Sequence, residues 1–419
     1  MTGSAPLRLH VRTREIDTPA DLLEHADPDL PLVWLRRGDG MVGAGTAARL
    51  DADASEHEPR AQRLARAWTQ LCADAMIDDA VELPGTGLIG FGALTFDERS
   101  ASPSSIIVPS LVIGRRGSRS WITRIRRHDG DDLDPRTLPY GPYWSATVGP
   151  GALDADAYQT AVRGALSAIS AGEVGKVVVA RDLVGTVPKG ADLRRLVHEL
   201  ATGYPDTWTY AVDGIIGASP ETLVTVDHGR VTARVLAGTR PRGADADEDA
   251  ASAVALATSA KDLDEHAYAV HSVTEALAPH VTQLIADDRP FTLELPNVWH
   301  LATDVAGTLT NGSTSLDLIR ALHPTAAVAG TPTDAALDVI RRLEPFDRGR
   351  YAGPVGWIDA RGDGEWAIAL RGAQFGADSV GGLIPVTAHA GAGIVAGSDP
   401  ETELLETRVK FRPIVDALA

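Results

Sequence analysis

The chain has 419 residues, of which 44% are hydrophobic and 23% are charged, as in a globular protein with a large core. Its formal net charge of −18 argues against a surface for nucleic acid or for anionic membranes. The single cysteine, Cys72, excludes an internal disulfide and a cysteine-based metal site. The N-terminal segment lacks the apolar core of a signal peptide, and no apolar run has the roughly 18 residues of a membrane span. We therefore expect a cytoplasmic protein that binds neither nucleic acid nor membranes.

Residues 1–150 are rich in strand patterns and contain no recognisable chemical motif. Apolar spacing predicts a helix within residues 56–76. Residues 129–144 are rich in proline, glycine and aspartate, which is typical of a connection. We therefore expect one domain over residues 1–419, in which 1–150 is a scaffold and 151–419 carries the chemistry.

A helix is predicted over residues 154–171, beginning at a capping aspartate, and a strand over residues 176–183. Strand alternation places Lys176 on one face with Val178 and Ala180. A lysine is unusual beside apolar neighbours on a face that packs in a core. The alternative is an edge strand from which the amine reaches water.

Residues 207–240 predict an antiparallel meander with turns at its Asp-Gly and Asp-His-Gly segments. Glu221 lies at a break between two of these strands, and Gly238 lies near the end of the last one. The alternative for Glu221 is a solvated carboxylate in a turn.

Residues 247–279 predict a helix on which Asp262 and Glu265 lie three residues apart on one face. Carboxylates in this arrangement are typical ligands of a hard cation such as Mg²⁺. His266 and His271 suggest zinc, but no cysteine lies nearby and the HExxH spacing is absent, so magnesium is favoured. The apolar positions expected to form the buried stripe of this helix are Leu263, Ala267, Val270, Val273 and Leu277.

The C-terminal stretch predicts a glycine loop over residues 391–397 that leads into a helix with a polar cap and an early proline. Glu403, Glu406 and Lys410 share one face of this helix. A glycine loop at a helix N-terminus is a natural anion site, and the two carboxylates are a natural seat for a cation. The alternative is a surface helix with an ion pair between Glu406 and Lys410.

Between these helices, residues 297–309 read as a strand carrying His300, and residues 323–332 as a loop of small residues. Residues 351–375 predict a hairpin with Arg371 inside an apolar strand. A buried arginine needs an anionic partner, which is either a structural carboxylate or a bound ligand.

These segments together resemble the chorismate-utilising enzymes, a family that includes isochorismate synthase, salicylate synthase, anthranilate synthase component I and aminodeoxychorismate synthase component I. The resemblance covers about residues 155–419 and rests on nine motifs in the family's order: KVVVAR, GASPE, LAGTRPRG, KDLDEH, WHLAT, HPTAAVAGTP, YAGPVGW, ALRGAQ and GAGIVAGSDPETELLET. It implies an α/β (α+β) fold of large antiparallel sheets enclosed by helices, with a Mg²⁺-dependent site between them.

Three positions indicate which member the chain resembles. Anthranilate synthases usually have glutamine where this chain has Lys176, and aminodeoxychorismate synthases have a nucleophilic lysine where it has Ala237. Salicylate synthases tend to have threonine where it has Ala327. The resemblance is therefore greatest to isochorismate synthase, an isomerase. Salicylate synthase is the alternative, and a non-catalytic chorismate-binding relative would be expected to lack Lys176 or Glu221.

The resemblance implies that Lys176 is the base that delivers water to C2 of chorismate and that Glu221 is the acid for loss of the C4 hydroxyl. A neutral Lys176 requires its pKa to fall from about 10.4 towards 7–8, a differential of roughly 3–4 kcal/mol. The residues expected to bind substrate are Gly238, Thr239, His300, Ala327, Tyr351, Arg371, Gly391, Gly393 and Lys410. The residues expected to bind Mg²⁺ are Glu265 and Glu406, with Asp262 and Glu403 acting directly or through water.

The expected partner is the small-molecule substrate chorismate, without a glutaminase subunit, and the expected state is a monomer. The sequence leaves open whether the product enters menaquinone or siderophore biosynthesis.

Overall fold

The computed structural model describes residues 8–55, 58–128, 130–243, 245–294, 298–310, 312–376, 379 and 381–419. The side chains of Thr239, Pro241, Lys261, Glu265 and Val298 lie outside this description. The predicted roles of the Thr239 and Glu265 side chains therefore lie outside the described residues.

Helices and strands alternate irregularly along the chain. The helices α1 to α8 are Arg60–Asp74, Ala155–Ser170, Arg194–Gly203, Ala246–Thr258, Ala260–Leu277, Ser315–Leu322, Thr333–Leu343 and Pro400–Leu418, and a short 3-10 turn spans Leu23–His25. The strands β1 to β12 are Leu9–Ile16, Leu32–Arg36, Asp39–Ala44, Ala48–Ala52, Met76–Asp79, Ile89–Ala93, Ser104–Val108, Leu111–Arg116, Arg119–Arg127, Val148–Pro150, Lys176–Pro188 and Trp208–Val212. The strands β13 to β23 are Ile215–Ser219, Thr222–Asp227, Arg230–Pro241, Val281–Ala286, Phe291–Glu294, Val298–Leu309, Gly330–Thr331, Pro354–Asp359, Gly364–Ile368, Gly372–Phe375 and Leu383–Ile394.

The strands form two large sheets. Among the described residues, every pair of neighbouring strands is antiparallel except β1 and β5. The first sheet has the order β10-β11-β23-β22-β13-β12-β2-β3-β8-β9-β1-β5, with β19 beside β11. The second has the order β16-β18-β15-β14-β21-β20-β6-β7-β4, with β17 beside β18. Helices cover these sheets, so the predicted class of antiparallel sheets enclosed by helices is confirmed.

The apolar residues form two hydrophobic clusters. The larger one lies between the sheets, where the indoles of Trp34 in the first sheet and Trp357 in the second both donate to Oε2 of Glu365, at 2.9 and 3.1 Å. The smaller one covers the other face of the first sheet with apolar residues of α3 and α8, including Leu196 and Phe411. Within the described ranges, no helix is both long and apolar enough to cross a membrane.

The predicted meander over residues 207–240 is divided between the two sheets. Its first hairpin, β12 and β13, belongs to the first sheet, whereas its second hairpin, β14 and β15, belongs to the second. The chain crosses from one sheet to the other between Ser219 and Thr222. Another crossing, from the second sheet to the first, lies between Ile368 at the end of β21 and Gly372 at the start of β22. The turns were predicted correctly. The prediction that these strands form one meander was wrong, because the two hairpins belong to different sheets.

The single helix predicted over residues 247–279 is two helices that meet at Ser259. Ser259 has an extended backbone, and its hydroxyl accepts from the amide of Asp262 at 3.3 Å, so it ends α4 and caps α5. The predicted buried stripe is only partly correct. Leu277 is fully buried, but Ala267 is exposed and the neighbouring His266 is buried in its place.

Candidate active site

Two of the segments that cross between the sheets lie side by side and carry Glu221 and Arg371. The amide of Ile368 donates to the carbonyl of Glu221 at 3.0 Å, and the amide of Ala218 donates to the carbonyl of Arg371 at 3.3 Å. The hydroxyl of Ser219 donates to the carbonyl of Ile368 at 2.6 Å. These bonds fix a carboxyl group and a guanidinium group on adjacent backbone where the two sheets meet.

Lys176 begins β11 in the interior of the first sheet. It pairs with Thr331 of β19, and the next residue, Val177, pairs with Ile394 of β23 as well as with Gly330. The edge-strand explanation for this lysine is therefore wrong, because its strand has neighbours on both sides.

Lys176 and Glu221 influence each other's pKa, and the pKa of each is shifted in the direction that favours the neutral form. Burial lowers the pKa of Lys176, although the carboxylates of Glu221 and Glu406 oppose that shift. Burial raises the pKa of Glu221, against the attraction of Lys176, Lys410 and Arg371. These directions favour an amine that accepts a proton and a carboxyl group that donates one.

Gly391 and Gly393 lie within β23 and not in the glycine loop that the sequence predicted. β23 pairs with β11 continuously from Ile394 to Leu383, and this ladder includes both glycines. A β carbon on Gly391 would lie 2.9 Å from the carbonyl oxygen of Val179, so the glycine permits close approach of the two strands. A β carbon on Gly393 would lie 3.0 Å from Cε of Lys176, so this glycine leaves room for the lysine side chain.

The predicted start of the C-terminal helix is confirmed. Asp399 caps α8 by accepting from the amide of Thr402 at 2.9 Å, and Pro400 is the first helical residue. Glu403 is buried, whereas Glu406 is exposed. The ion pair between Glu406 and Lys410, which belonged to the alternative of a surface helix, also forms.

Lys410 connects α8 to the strand that contains the glycines. Its Nζ atom lies 2.5 Å from Oε1 of Glu406 and donates to the carbonyl of Gly391 at 2.8 Å. Because Lys410 also acts on the pKa values of Lys176 and Glu221, it faces the same cluster of ionisable groups. The ion pair is thus part of the candidate site and not an isolated surface contact.

Gly238 and His300 form the side of the site that belongs to the second sheet. Gly238 has a φ of +79° at a bulge in β15, a conformation that glycine adopts easily. On β18, His300 pairs with Thr239, and its Nδ1 atom lies 3.4 Å from the carbonyl oxygen of Gly238. Burial lowers the pKa of His300, and Lys176 lowers it further, so this ring points towards the same cluster.

The acidic face of α5 lies against the bulge at Gly238. A β carbon on Gly238 would lie 3.5 Å from Cβ of Asp262, whose carboxylate is 3.9 Å from Arg240. His266 points into the protein, where its ring nitrogens contact the carbonyl of Ala237 at 3.0 Å and the hydroxyl of Thr303 at 2.7 Å. His266 therefore has a structural explanation.

The sequence predicted that Arg371 lies inside a strand, but it lies in the segment between β21 and β22 that crosses from one sheet to the other. Its backbone has a φ of +55°, which is uncommon for a residue other than glycine. Among the residues that the structure describes, no carboxylate comes within ion-pair distance of its guanidinium, which leaves the structural-carboxylate explanation without support. Burial lowers the pKa of Arg371, and Tyr351, Glu406 and Glu221 oppose this effect.

Tyr351 is buried beside Arg371 and stacks on a histidine that the sequence analysis did not select. The rings of Tyr351 and His389 are 5.1 Å apart between centroids with an interplanar angle of 22°. Burial raises the pKa of Tyr351 to about 12 and lowers that of His389 to about 4, so both rings stay neutral near pH 7. Strand alternation could have indicated His389, because it lies on the same face of β23 as Gly391 and Gly393.

Ala327 is exposed in a turn between α6 and β19. The loop that contains it ends at β19, the short strand that pairs with Lys176, so the loop lies close to the predicted base. The methyl side chain of Ala327 cannot form a hydrogen bond, so it would affect a ligand only through the space that it occupies.

The acidic residues of α5 and α8 fit a hard cation by their chemistry. Glu403 is buried, and both its burial and the repulsion of Glu406 raise its pKa, as expected for carboxylates that need a positive charge nearby. All the donors are oxygen atoms, which suits Mg²⁺. Among the described side chains, no three acidic or histidine residues come together as a metal group, and the side chain of Glu265 is outside the description.

Comparisons with known proteins give a consistent result. A family model described as "Chorismate binding enzyme" matches residues 144–419. Isochorismate synthase DhbC of Bacillus subtilis is 40% identical over 273 residues, which cover 62% of this chain and 67% of that protein. Isochorismate synthase EntC of Escherichia coli is 31% identical over 385 residues, which cover 89% of this chain and 90% of that protein.

The fold has solved counterparts as well. The structure of MenF, the menaquinone-specific isochorismate synthase of Escherichia coli, superposes with a TM-score of 0.74 at 25% sequence identity. The alignment covers 100% of this chain and 97% of that one. The likeness therefore extends over the N-terminal strands as well as over the residues of the candidate site.

Proposed function

Because the chain belongs to the family of chorismate-binding enzymes, we propose that it is an isochorismate synthase that converts chorismate reversibly into isochorismate with the help of Mg²⁺. The observation that carries this proposal is the pair formed by Lys176 and Glu221. Burial displaces the pKa of the lysine downwards and that of the glutamate upwards, so one is suited to be a base and the other an acid.

The proposed reaction forms one C–O bond and breaks another. Neutral Lys176 takes a proton from water as the water oxygen bonds to C2 of the ring. Glu221 gives its proton to the C4 hydroxyl, which leaves as water while the ring double bonds shift. Protonation is needed because hydroxide is a poor leaving group. In the reverse direction the two residues exchange roles.

The two carboxylates of chorismate need positive charge or hydrogen-bond donors in a chain whose net charge is −18. Arg371 is proposed to bind the enolpyruvyl carboxylate, with Tyr351 and Lys410 beside it, because no structural carboxylate in the described residues neutralises it. The ring carboxylate is assigned to the Gly238–Thr239 backbone. His300, held near Gly238, is proposed to orient the ring.

Mg²⁺ is proposed to be held by Glu265 and Glu406, with Asp262 and Glu403 acting directly or through water. When bound, it would neutralise the ring carboxylate and fix its orientation. The support from this chain is the oxygen-only donor set and the upward shift of the pKa of Glu403 caused by burial and by Glu406. Lys410 also contacts Glu406, so this lysine would limit how far the carboxylate can turn.

Two observations favour a reaction in which the enolpyruvyl group is retained and not eliminated. Several similar proteins are named as isochorismate synthases, and Ala327 stands where salicylate synthases tend to have threonine. The proposed products therefore do not include pyruvate.

The proposal is tested by incubating the purified protein with chorismate and Mg²⁺, with and without EDTA, and separating the products by chromatography. We expect an EDTA-sensitive equilibrium mixture of chorismate and isochorismate without pyruvate. Salicylate with an equal amount of pyruvate would show that the enzyme is a salicylate synthase. Unchanged chorismate at high enzyme concentration would contradict an enzymatic role.

A further inference from the structure

The strand that begins with Lys176 has a gap in its hydrogen-bond ladder. On the side away from β23, residues 176–177 of β11 pair with β19 and residues 183–185 pair with β10. In the described part of the chain, no strand covers residues 178–182 on that side. Buried amides and carbonyls in such a gap need other partners.

Two charged side chains fill part of this gap, one from Glu344 at the C-cap of α7 and one from Arg348, four residues later. Oε1 of Glu344 accepts from the amide of Ala180 at 2.8 Å. Nη2 of Arg348 donates to the carbonyl of Val178 at 2.9 Å. The two side chains also bind each other through both carboxylate oxygens, at 2.6 and 2.8 Å. They therefore form one rigid fork against the strand.

The same fork reaches the loop that contains Ala327. Nη1 of Arg348 donates to the carbonyl of Val328 at 3.0 Å, and the amide of Val178 donates to the carbonyl of Ala329 at 2.8 Å. One guanidinium group thus bonds to the strand that carries Lys176 and to the loop beside it. The ring of Phe96, 4.3 Å from the guanidinium carbon, covers it from one side.

Stability alone is a weak explanation for this arrangement. The side chains of Arg348 and Glu344 are only 3% and 1% exposed, and burying such charges costs desolvation that their attraction largely offsets. Apolar residues of similar volume often give equal or greater stability. They could not, however, hold a strand and a loop at a fixed separation through directional bonds.

We infer that Glu344 and Arg348 are positioning residues, which set the location of Lys176 relative to the loop over residues 325–329. This inference rests on the proposed role of Lys176 as the base. Neither residue touches the reacting atoms, and they act through the backbone of Val178, Ala180 and Val328.

Tyr351, a proposed substrate-binding residue, contacts Arg348, with its ring centroid 5.8 Å from the guanidinium carbon. A small displacement of Lys176 would impair proton transfer more than substrate binding, because Arg371, Lys410 and Gly238 lie on other segments.

The test compares Arg348→Lys with Arg194→Lys. Arg194 is an equally buried arginine that binds Asp192 through two oxygens, at 2.7 and 2.8 Å, and donates to the carbonyls of Leu138 and Pro139 at 2.9 and 3.0 Å. It makes the same kinds of bonds as Arg348 but at α3, away from the candidate site. A double variant, Glu344→Gln with Arg348→Met, removes both charges together and serves if Arg348→Lys does not fold.

Two measurements are made on each variant. The first is the kcat and KM for chorismate, where we expect Arg348→Lys to lower kcat by about 10- to 100-fold with a smaller change in KM. The second is hydrogen exchange, where we expect faster exchange of peptides spanning 176–182 and 325–330. Arg194→Lys should leave both properties unchanged even if its melting temperature falls equally.

The inference is overturned if Arg348→Lys, or the double variant in its place, has the kcat of the Arg194→Lys control. It is also overturned if kcat falls while exchange in both segments stays unchanged. If the unaltered protein does not convert chorismate, the proposed function fails, and the hydrogen-exchange comparison still decides whether the fork holds the strand and the loop.

Discussion

The side chain of Lys176 reaches Gly393 of β23, so that a β carbon on the glycine would lie 3.0 Å from Cε and 3.6 Å from Nζ of the lysine. The register partner of Gly393 is Val178, two residues after Lys176 on β11. The path of the lysine side chain therefore depends on the absence of a side chain on the neighbouring strand. This contact connects the glycine motif near the C-terminus to the proposed base.

Replacing Gly393 with alanine should displace the amine of Lys176 and lower kcat by about 10-fold or more, because small misplacement of a reacting group is costly. The matched control is Gly397→Ala, since a β carbon at Gly397 meets no atom within 4 Å. Steady-state kinetics with chorismate would check this. Equal kcat values for the two variants would show that the contact with Lys176 has no catalytic importance.

Lys176→Ala should reduce turnover by at least about 10²- to 10⁴-fold, the contribution typical of a general base, while leaving the fold intact. Lys189→Ala is the control, because Lys189 is exposed. Turnover and thermal unfolding should be measured together. Near-normal activity in a folded Lys176→Ala protein would remove this residue from the mechanism.

The pH dependence of kcat/KM should be bell-shaped. Turnover requires Lys176 without its proton, so this group makes the rate rise with pH through a pKa that burial has lowered. It also requires Glu221 with its proton, so this group makes the rate fall with pH through a pKa that burial has raised. Both displacements bring the two limbs towards neutral pH.

Glu221→Gln should remove the falling limb of that profile and lower kcat, because an amide has no proton to donate to the leaving hydroxyl. The rising limb due to Lys176 should remain. A profile of kcat/KM from pH 5 to 10 for both proteins would test this assignment. Retention of the falling limb in the variant would assign it to another group.

Arg371→Gln should raise the KM for chorismate about 10-fold or more, since a hydrogen bond to a charged group contributes about 1.5–3 kcal/mol. Arg408→Gln is a suitable control, because Arg408 is an exposed arginine on α8. Inhibition by chorismate analogues that lack the enolpyruvyl carboxylate should be nearly unaffected by Arg371→Gln. If their inhibition weakened as much as chorismate binding does, Arg371 would not be the partner of that carboxylate.

Glu406→Gln should increase the Mg²⁺ concentration needed for half-maximal activity, because it removes one proposed oxygen ligand and its charge. Glu401→Gln, an exposed position in the first turn of the same helix, is the control. Magnesium titrations after treatment with EDTA would provide the comparison. An unchanged magnesium requirement in Glu406→Gln would remove this residue from the metal site.

Features set by neighbouring residues were predictable from the sequence. The cap at Asp399, the proline after it and the shared face of Glu403, Glu406 and Lys410 depend on spacing within one helix. The family motifs likewise indicated which residues would come together.

Features set by sheet pairing were not predictable in this way. The chain changes sheets at Glu221 because β13 pairs with β22 and β14 pairs with β21, and both of these partners lie far away in the sequence. The adjacency of Glu221 and Arg371 follows from those pairings. His266 is buried where the sequence predicted Ala267, because Ala237 and Thr303 form hydrogen bonds with its ring nitrogens. The spacing of apolar residues in the sequence does not reveal such hydrogen-bond partners.

The central claim is that water is added at C2 while the C4 hydroxyl is lost, and conversion of chorismate in ¹⁸O-labelled water tests it most directly. Isochorismate isolated at low conversion and analysed by mass spectrometry should carry one ¹⁸O atom, in its ring hydroxyl. Unlabelled isochorismate would contradict water addition, and salicylate with pyruvate would contradict the proposed product.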